Sequence, residues 1–161
     1  PENPNLGTCI ITVVPADIDI TTLEFPELKA ITYNPESTLA DVKLPAGYTW
    51  VNPEVIPCVE QTSYGLIYNP NEEKYKPITF DLTLEVQKRT LTAADYTVPS
   101  DLMGGAGKEL STVGLPVGFS WNNPTESLAD TIGTKQYLAS YNPDVANYET
   151  VTDIKITITI F

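Results

Sequence analysis

Leu44-Pro45-Ala46-Gly47-Tyr48-Thr49-Trp50-Val51-Asn52-Pro53 returns further along the chain as Leu115-Pro116-Val117-Gly118-Phe119-Ser120-Trp121-Asn122-Asn123-Pro124. Self-similarity at a fixed period marks a repeat architecture, and from Trp50 to Trp121 the offset is 71. A second pair of blocks, Tyr64 through Tyr68-Asn69-Pro70-Asn71 to Tyr75 and Tyr137 through Tyr141-Asn142-Pro143-Asp144 to Tyr148, stands at an offset of 73. Two residues are therefore inserted between the blocks, most simply in a loop. Each repeat closes in strict alternation, with Phe80, Leu82, Leu84 and Val86 in the first and Ile154, Ile156, Ile158 and Ile160 in the second. A period of two is the mark of a strand with one face on a core. Upstream, Ala16-Asp17-Ile18 pairs more loosely with Ala94-Asp95-Tyr96.

The boundary between repeats falls near Gln87 to Thr90, which gives one module over residues 1–87 and a second over 88–161. The junction has little Gly or Ser, so the two are expected to be joined stiffly. Asn-Pro, Pro-Ala-Gly and Asn-Pro-Asp turns divide each module into about six or seven short strands. The fold class is all-β, and this count and spacing suit two tandem immunoglobulin-like β-sandwich modules. A small barrel shares the same periodicity; the short repeat with its long closing strand favours the sandwich.

Composition narrows the function. The chain of 161 residues has a formal net charge of −12, no histidine, 14 prolines and 9 tyrosines. Nucleic-acid and anionic-membrane binding need clustered Lys and Arg, which are absent. The missing histidine removes the commonest general base and metal ligand. No stretch is apolar enough for a spanning helix, and Pro1-Glu2-Asn3-Pro4 does not read as a signal peptide. Residues 1–87 carry 13 acids and 4 bases, residues 88–161 carry 8 and 5. A basic partner or cation would thus be drawn chiefly to the first module.

The Thr38-Leu39 and Glu109-Leu110 approaches, the Leu-Pro-x-Gly-aromatic-x-Trp-x-Asn-Pro stretches, Tyr141-Asn142-Pro143-Asp144-Val145-Ala146-Asn147-Tyr148 and the closing Ile156-Thr157-Ile158-Thr159-Ile160 together resemble the tandem immunoglobulin-like repeats of bacterial cell-surface and secreted modular proteins. The likeness covers nearly the whole chain. It is closer in the second module; the first departs at Asn71, at Lys74 and in its lead-in from Phe25 to Tyr33. The resemblance implies an extracellular or surface-anchored protein of a gut or Gram-positive bacterium, in which such repeats are spacers or adhesive stalks. It implies no enzyme activity and no cofactor. Other surface proteins or glycans are the partners it suggests, without nucleic acid or membrane insertion, and a monomer is expected. Surface modules of this class can carry a Lys–Asn crosslink, but the closing strands here contain no Asn.

Several residue groups invite chemistry. Trp50 and Trp121 each follow an aromatic residue by two positions, so Tyr48 with Trp50 and Phe119 with Trp121 share a strand face. These four residues would form the stacking platform of a carbohydrate-binding module, the alternative function; as bulky anchors of a small core they need no ligand. The core reading is preferred, because both repeats place theirs alike. Tyr75 and Tyr148, at a chain reversal, read as corner tyrosines whose hydroxyls bond nearby backbone. Asp144 with Asn147, or Asn71 with Glu72 and Glu73, offer oxygen ligands for calcium, but they differ between repeats and such residues are ordinary turn formers, so no metal site is assigned. Asp17 and Asp19 alternate with apolar neighbours, and paired carboxylates serve glycosidases. The second repeat keeps only Asp95, and a charged strand edge accounts for the pair. Gly104-Gly105-Ala106-Gly107-Lys108 lacks the first Gly and the Ser or Thr of a phosphate loop. Gly118-Phe119-Ser120-Trp121-Asn122 fails the nucleophile-elbow pattern at its last position. Cys9 and Cys58 lie in the first module; a bridge would contribute about 4 kcal/mol in the chain-entropy model. The second repeat has Ala129 in place of Cys58, so the fold does not require the bridge, and the pairing stays open.

Overall fold

The structure, a computed structural model, describes residues 10–161. The chain is all-β: nine strands and three short 3-10 turns, with no α-helix among the described residues. In the first repeat the strands are β1 (Ile31–Thr32), β2 (Tyr48–Trp50), β3 (Ser63–Tyr68), β4 (Ile78–Thr83) and β5 (Val86–Gln87). In the second they are β6 (Leu102–Gly104), β7 (Phe119–Trp121), β8 (Gly133–Tyr141) and β9 (Val151–Ile160).

The alternating closing strands organise the sheets of both repeats. Along β9, Ile154, Ile156, Ile158 and Ile160 are buried while Lys155, Thr157 and Thr159 face solvent. β9 lies at the centre of a sheet ordered β6-β9-β8-β7, parallel to β6 and antiparallel to β8, which is antiparallel to β7. The first repeat has the same order with its closing strand broken at Leu84-Glu85: β2-β3-β4 is one antiparallel sheet, and β5 pairs in parallel with β1. The edge strands β1, β2, β6 and β7 have at most three residues, which limits the unpaired backbone they offer to another chain, whereas β4, at the other edge of β2-β3-β4, has six.

Among the described residues five and four strands form where six or seven were expected, and the layer opposite the strands is made of turns. The 3-10 turns Leu39–Asp41 and Leu110–Thr112 each press their first residue, fully buried, onto the sheet. Their N–H groups are held in the same way, Leu39 N donating to Val55 O (2.8 Å) and Leu110 N to Glu126 O (2.8 Å). Proline-rich, short connections favour such turns over a second ladder, because Pro cannot donate to one. The core of the first repeat gathers Leu39, Trp50, Tyr64, Leu66, Leu84 and Val86. That of the second gathers Leu110, Val113, Leu128, Tyr137, Ile158 and Ile160, with Ala139, Ile154 and Ile156 beside them. Burying each such side chain contributes about 1.5–3 kcal/mol, which makes these clusters the main source of stability.

Backbone pairing fixes how the repeats correspond. Cys58 and Ala129 are equivalent, as are Tyr64 and Tyr137, so the two extra residues lie between them and extend the start of β8. A third extra residue is a bulge: the β8–β9 register shifts between Ala139 and Tyr141, and Asp153 there adopts φ 59°. Asp tolerates this left-handed conformation better than a branched residue would. The pairing of Ala16-Asp17-Ile18 with Ala94-Asp95-Tyr96 is not the one the fold uses. Ala16 pairs in parallel with Tyr75 as Arg89 pairs with Tyr148, so Ala16 corresponds to Arg89.

Candidate functional site

The aromatic residues come first. Trp50 is only 8% exposed, and its indole Nε1 donates to Val42 O (3.3 Å); Trp121, half-buried, donates to Val113 O (2.9 Å). Val42 and Val113 directly follow the 3-10 turns. Each tryptophan therefore ties the turn layer to the sheet, satisfying a donor that burial would otherwise leave unpaired. Tyr48 and Phe119 lie on the same strand faces. Tyr48 packs on Tyr68 (4.5 Å between ring centroids) and edge-on to Phe80, with its hydroxyl donating to Glu24 O (2.9 Å). Phe119 packs on Tyr141 (4.5 Å) and edge-on to Tyr96. Tyr48 and Phe119, offered as sugar-stacking rings, are already packed on neighbouring rings of their own repeat.

Beneath each stack lies the glycine of the Leu-Pro-x-Gly stretch. Gly47 and Gly118 have φ of 85° and 88°, and a Cβ there would stand 3.0 Å from Tyr68 Cε2 and 2.7 Å from Tyr141 Cε2. Only glycine fits both the backbone and the ring.

The tyrosines whose hydroxyls accept from backbone N–H groups are Tyr64 and Tyr137, not the expected Tyr75 and Tyr148. Tyr64 Oη accepts from Cys58 N (3.1 Å) and Tyr137 Oη from Ala129 N (3.0 Å). Their sequence signal is the shared position two residues before the buried Leu66 and Ala139 in β3 and β8. Tyr75 and Tyr148 act through their backbones, in the parallel pairing with Ala16 and Arg89.

The corner that contains Tyr148 meets the first repeat. Asp144 organises the corner: Oδ1 accepts from Ala146 N (3.0 Å) and Oδ2 from Asn147 Nδ2 (2.7 Å). Asn147 Oδ1 then accepts from Val59 N (3.0 Å), its amide oriented by a partner at each end. Tyr148 packs edge-on to Tyr33 with centroids 5.3 Å apart, and Lys88 Nζ donates to Val145 O (2.7 Å). The hydrogen bond from Asn147, then that from Ala146 N, holds the Asp144 carboxyl below its ordinary range. Burial, then the facing Tyr148, Asp144 and Cys58, pushes the Tyr33 hydroxyl up. No stretch of free chain separates the repeats: β5 ends at Gln87, and Arg89 is already paired with Tyr148.

Other candidates separate or stay at the surface. Asp17 and Asp19 do not share a strand face: Asp17 pairs with Lys76 (2.9 Å) in the open, whereas Asp19 caps the turn Ile20–Thr22 by accepting from Thr21 N (2.9 Å) and Oγ1 (2.7 Å). Both Asp144 carboxylate oxygens are engaged by N–H donors, and Asn71 Oδ1 likewise accepts from Glu73 N (3.0 Å). Among the described residues no group of three or more acidic or cysteine side chains is placed to hold a metal ion. Gly104–Lys108 closes β6 and turns into the cover layer. Cys58 is half-buried; Cys9, and with it their pairing, lies outside the described residues. An open groove of about 510 Å³ runs along the free edge of β1, floored by Leu28, Ile31 and Val42 and rimmed by Lys29, Asp41 and Lys43. No helix among the described residues is long and apolar enough to cross a membrane. No protein-family model matches the sequence, and no curated protein matches it either.

Proposed function

We propose that the chain is a pair of tandem modules, residues 1–87 and 88–161, serving as a non-catalytic structural or adhesive spacer. The observation that carries this reading is the joint between the repeats. Asn147 with Val59 and Tyr148 with Tyr33 join them where a flexible linker would otherwise stand. A spacer transmits distance and direction, and both depend on such contacts more than on any pocket. The immunoglobulin-like resemblance enters as a likeness of use, since 3-10 turns cover the strands in each module. A bacterial extracellular or surface location, with other surface proteins or glycans as partners, rests on that resemblance alone. Glycan stacking on Tyr48, Trp50, Phe119 and Trp121 is the weaker alternative, because those rings are packed internally.

Small-angle scattering tests the proposal. The natural chain should fit one fixed arrangement of the repeats, and the double substitution Asn147→Ala with Tyr148→Ala should broaden it into an ensemble. A natural chain that already scatters as two independently tumbling bodies would overturn the spacer reading.

A further inference from the structure

Ile10, Ile11, Val13 and Val14 are between 72% and 85% exposed, and residues 10–14 form no strand. Four large apolar side chains in five residues are costly to leave in water, and such a run marks a surface that something covers. The correspondence between repeats says what. Ala16 N donates to Lys74 O (2.8 Å) and Lys76 N to Ala16 O (2.9 Å); Arg89 N donates to Asn147 O (2.9 Å) and Glu149 N to Arg89 O (3.0 Å). Ala16 therefore enters the first repeat as Arg89 enters the second. What precedes Arg89 is the closing strand of the repeat before it.

Stepping back from Ala16 and Arg89 in parallel sets Ile11 opposite Leu84 and Val13 opposite Val86, with Thr12 opposite Glu85. The ending of the second repeat reads the same way: Ile11-Thr12-Val13-Val14 stands against Ile158-Thr159-Ile160-Phe161. Leu84, Ile158 and Ile160 are fully buried and Val86 nearly so, whereas Ile11 and Val13 are 80% and 85% exposed. Glu85 and Thr159 face solvent, as Thr12 does. From Ile11 to Val13 the pattern is that of a closing strand, inward at every second residue, without its sheet, while Ile10 and Val14 fall opposite the outward Thr83 and Gln87.

We propose that Ile10–Val14 is the closing strand of a third repeat of the same kind, lying before the first, and that the partner of this apolar segment is that repeat's sheet. A second copy of the chain is a poorer fit, because its three sheets already hold their own closing strands, β4, β5 and β9. Tyr75 agrees: it is 39% exposed at the corner where Tyr148 packs on the preceding repeat's Tyr33. The inference rests on the tandem-module reading but not on the stiffness of the joint.

The test compares the 161-residue chain with the natural polypeptide extended upstream by about one repeat. Hydrogen exchange is read at Ile11 and Val13. Their amides should exchange freely in the shorter chain and at least about a hundredfold more slowly in the longer one. Ile11→Asp should leave the melting of the shorter chain unchanged and lower that of the added repeat by more than about 10 °C. Unprotected amides in the longer chain would overturn the proposal. So would a natural polypeptide that begins at Pro1, or one lacking a Leu-Pro-x-Gly-aromatic-x-Trp stretch at the spacing by which Trp50 precedes Leu84. Dimerisation of the shorter chain through residues 10–14 would also overturn it, in favour of a second copy. The scattering experiment on the joint is unaffected by any of these results, so failure here leaves the spacer reading standing.

Discussion

Replacing Gly118 by alanine should be among the most damaging single-methyl changes available to this chain. Gly118 sits at φ 88°, where an L side chain costs about 1–2 kcal/mol. The new Cβ would stand 2.7 Å from Tyr141 Cε2 and 3.3 Å from Cδ2, so the ring must move. It cannot move freely, since Phe119 lies 4.5 Å and Tyr96 5.0 Å from its centroid. Each aromatic pair contributes about 0.5–1.5 kcal/mol beyond its buried area. Backbone strain and a disturbed stack together cost about 2–4 kcal/mol, or a fall in melting temperature of about 10–20 °C for a unit of this size. Gly47→Ala meets Tyr68 at 3.0 Å and should cost less. Gly114→Ala meets nothing within 4 Å and should change stability by under about 1 kcal/mol. Calorimetry with urea unfolding followed by circular dichroism measures all three. The reasoning is refuted if Gly118→Ala is no more destabilising than Gly114→Ala, or if Gly47→Ala costs more than Gly118→Ala.

Tyr137→Phe keeps the ring but strands the Ala129 N–H, so urea unfolding should show a loss of about 1–2 kcal/mol; Tyr64→Phe should behave alike through Cys58. Asp95, held low by the Thr92 N–H and hydroxyl and then by Arg89, and Asp144, held low by Asn147, have folded pKa values below the unfolded 3.8. Their stabilisation is present above that value and lost as pH falls through the lower folded values, so stability should decline below about pH 4. Asp95→Asn and Asp144→Asn should each flatten that decline in a pH series of melting curves. Acrylamide should quench Trp50 much less than free tryptophan and less than Trp121, measured in the Trp121→Phe and Trp50→Phe variants; equal, full quenching would return the sugar-platform reading to favour.

The sequence and the structure part company where partners are distant. The alternation from Ile154 to Ile160 and the two Trp stretches are local patterns, and each forms a strand. Even the bulge left a trace: Tyr75 and Tyr148 stand at an offset of 73, Phe80 and Ile154 at 74, and the added residue lies between Tyr148 and Ile154. Letter identity misled at Ala16-Asp17, because Arg89 shares no side-chain chemistry with Ala16 and corresponds to it only through backbone bonds. The role of Tyr64 and Tyr137 was hidden for a related reason, since their hydroxyls reach a loop that the strand pattern does not describe. The expected six or seven strands per module exceeded the observed number because the segments around Leu39 and Leu110 form 3-10 turns instead. The joint was visible only as a missing linker; that Asn147 and Tyr148 fill it follows from the folded corner.

Residual dipolar couplings from the two repeats of the natural chain, measured in one alignment medium, bear most directly on the claim that the joint holds them as a spacer. The account predicts a single alignment tensor, of the same magnitude and orientation, for residues 31–87 and 102–160. Two tensors of clearly different magnitude, the sign of repeats that reorient independently, would contradict it.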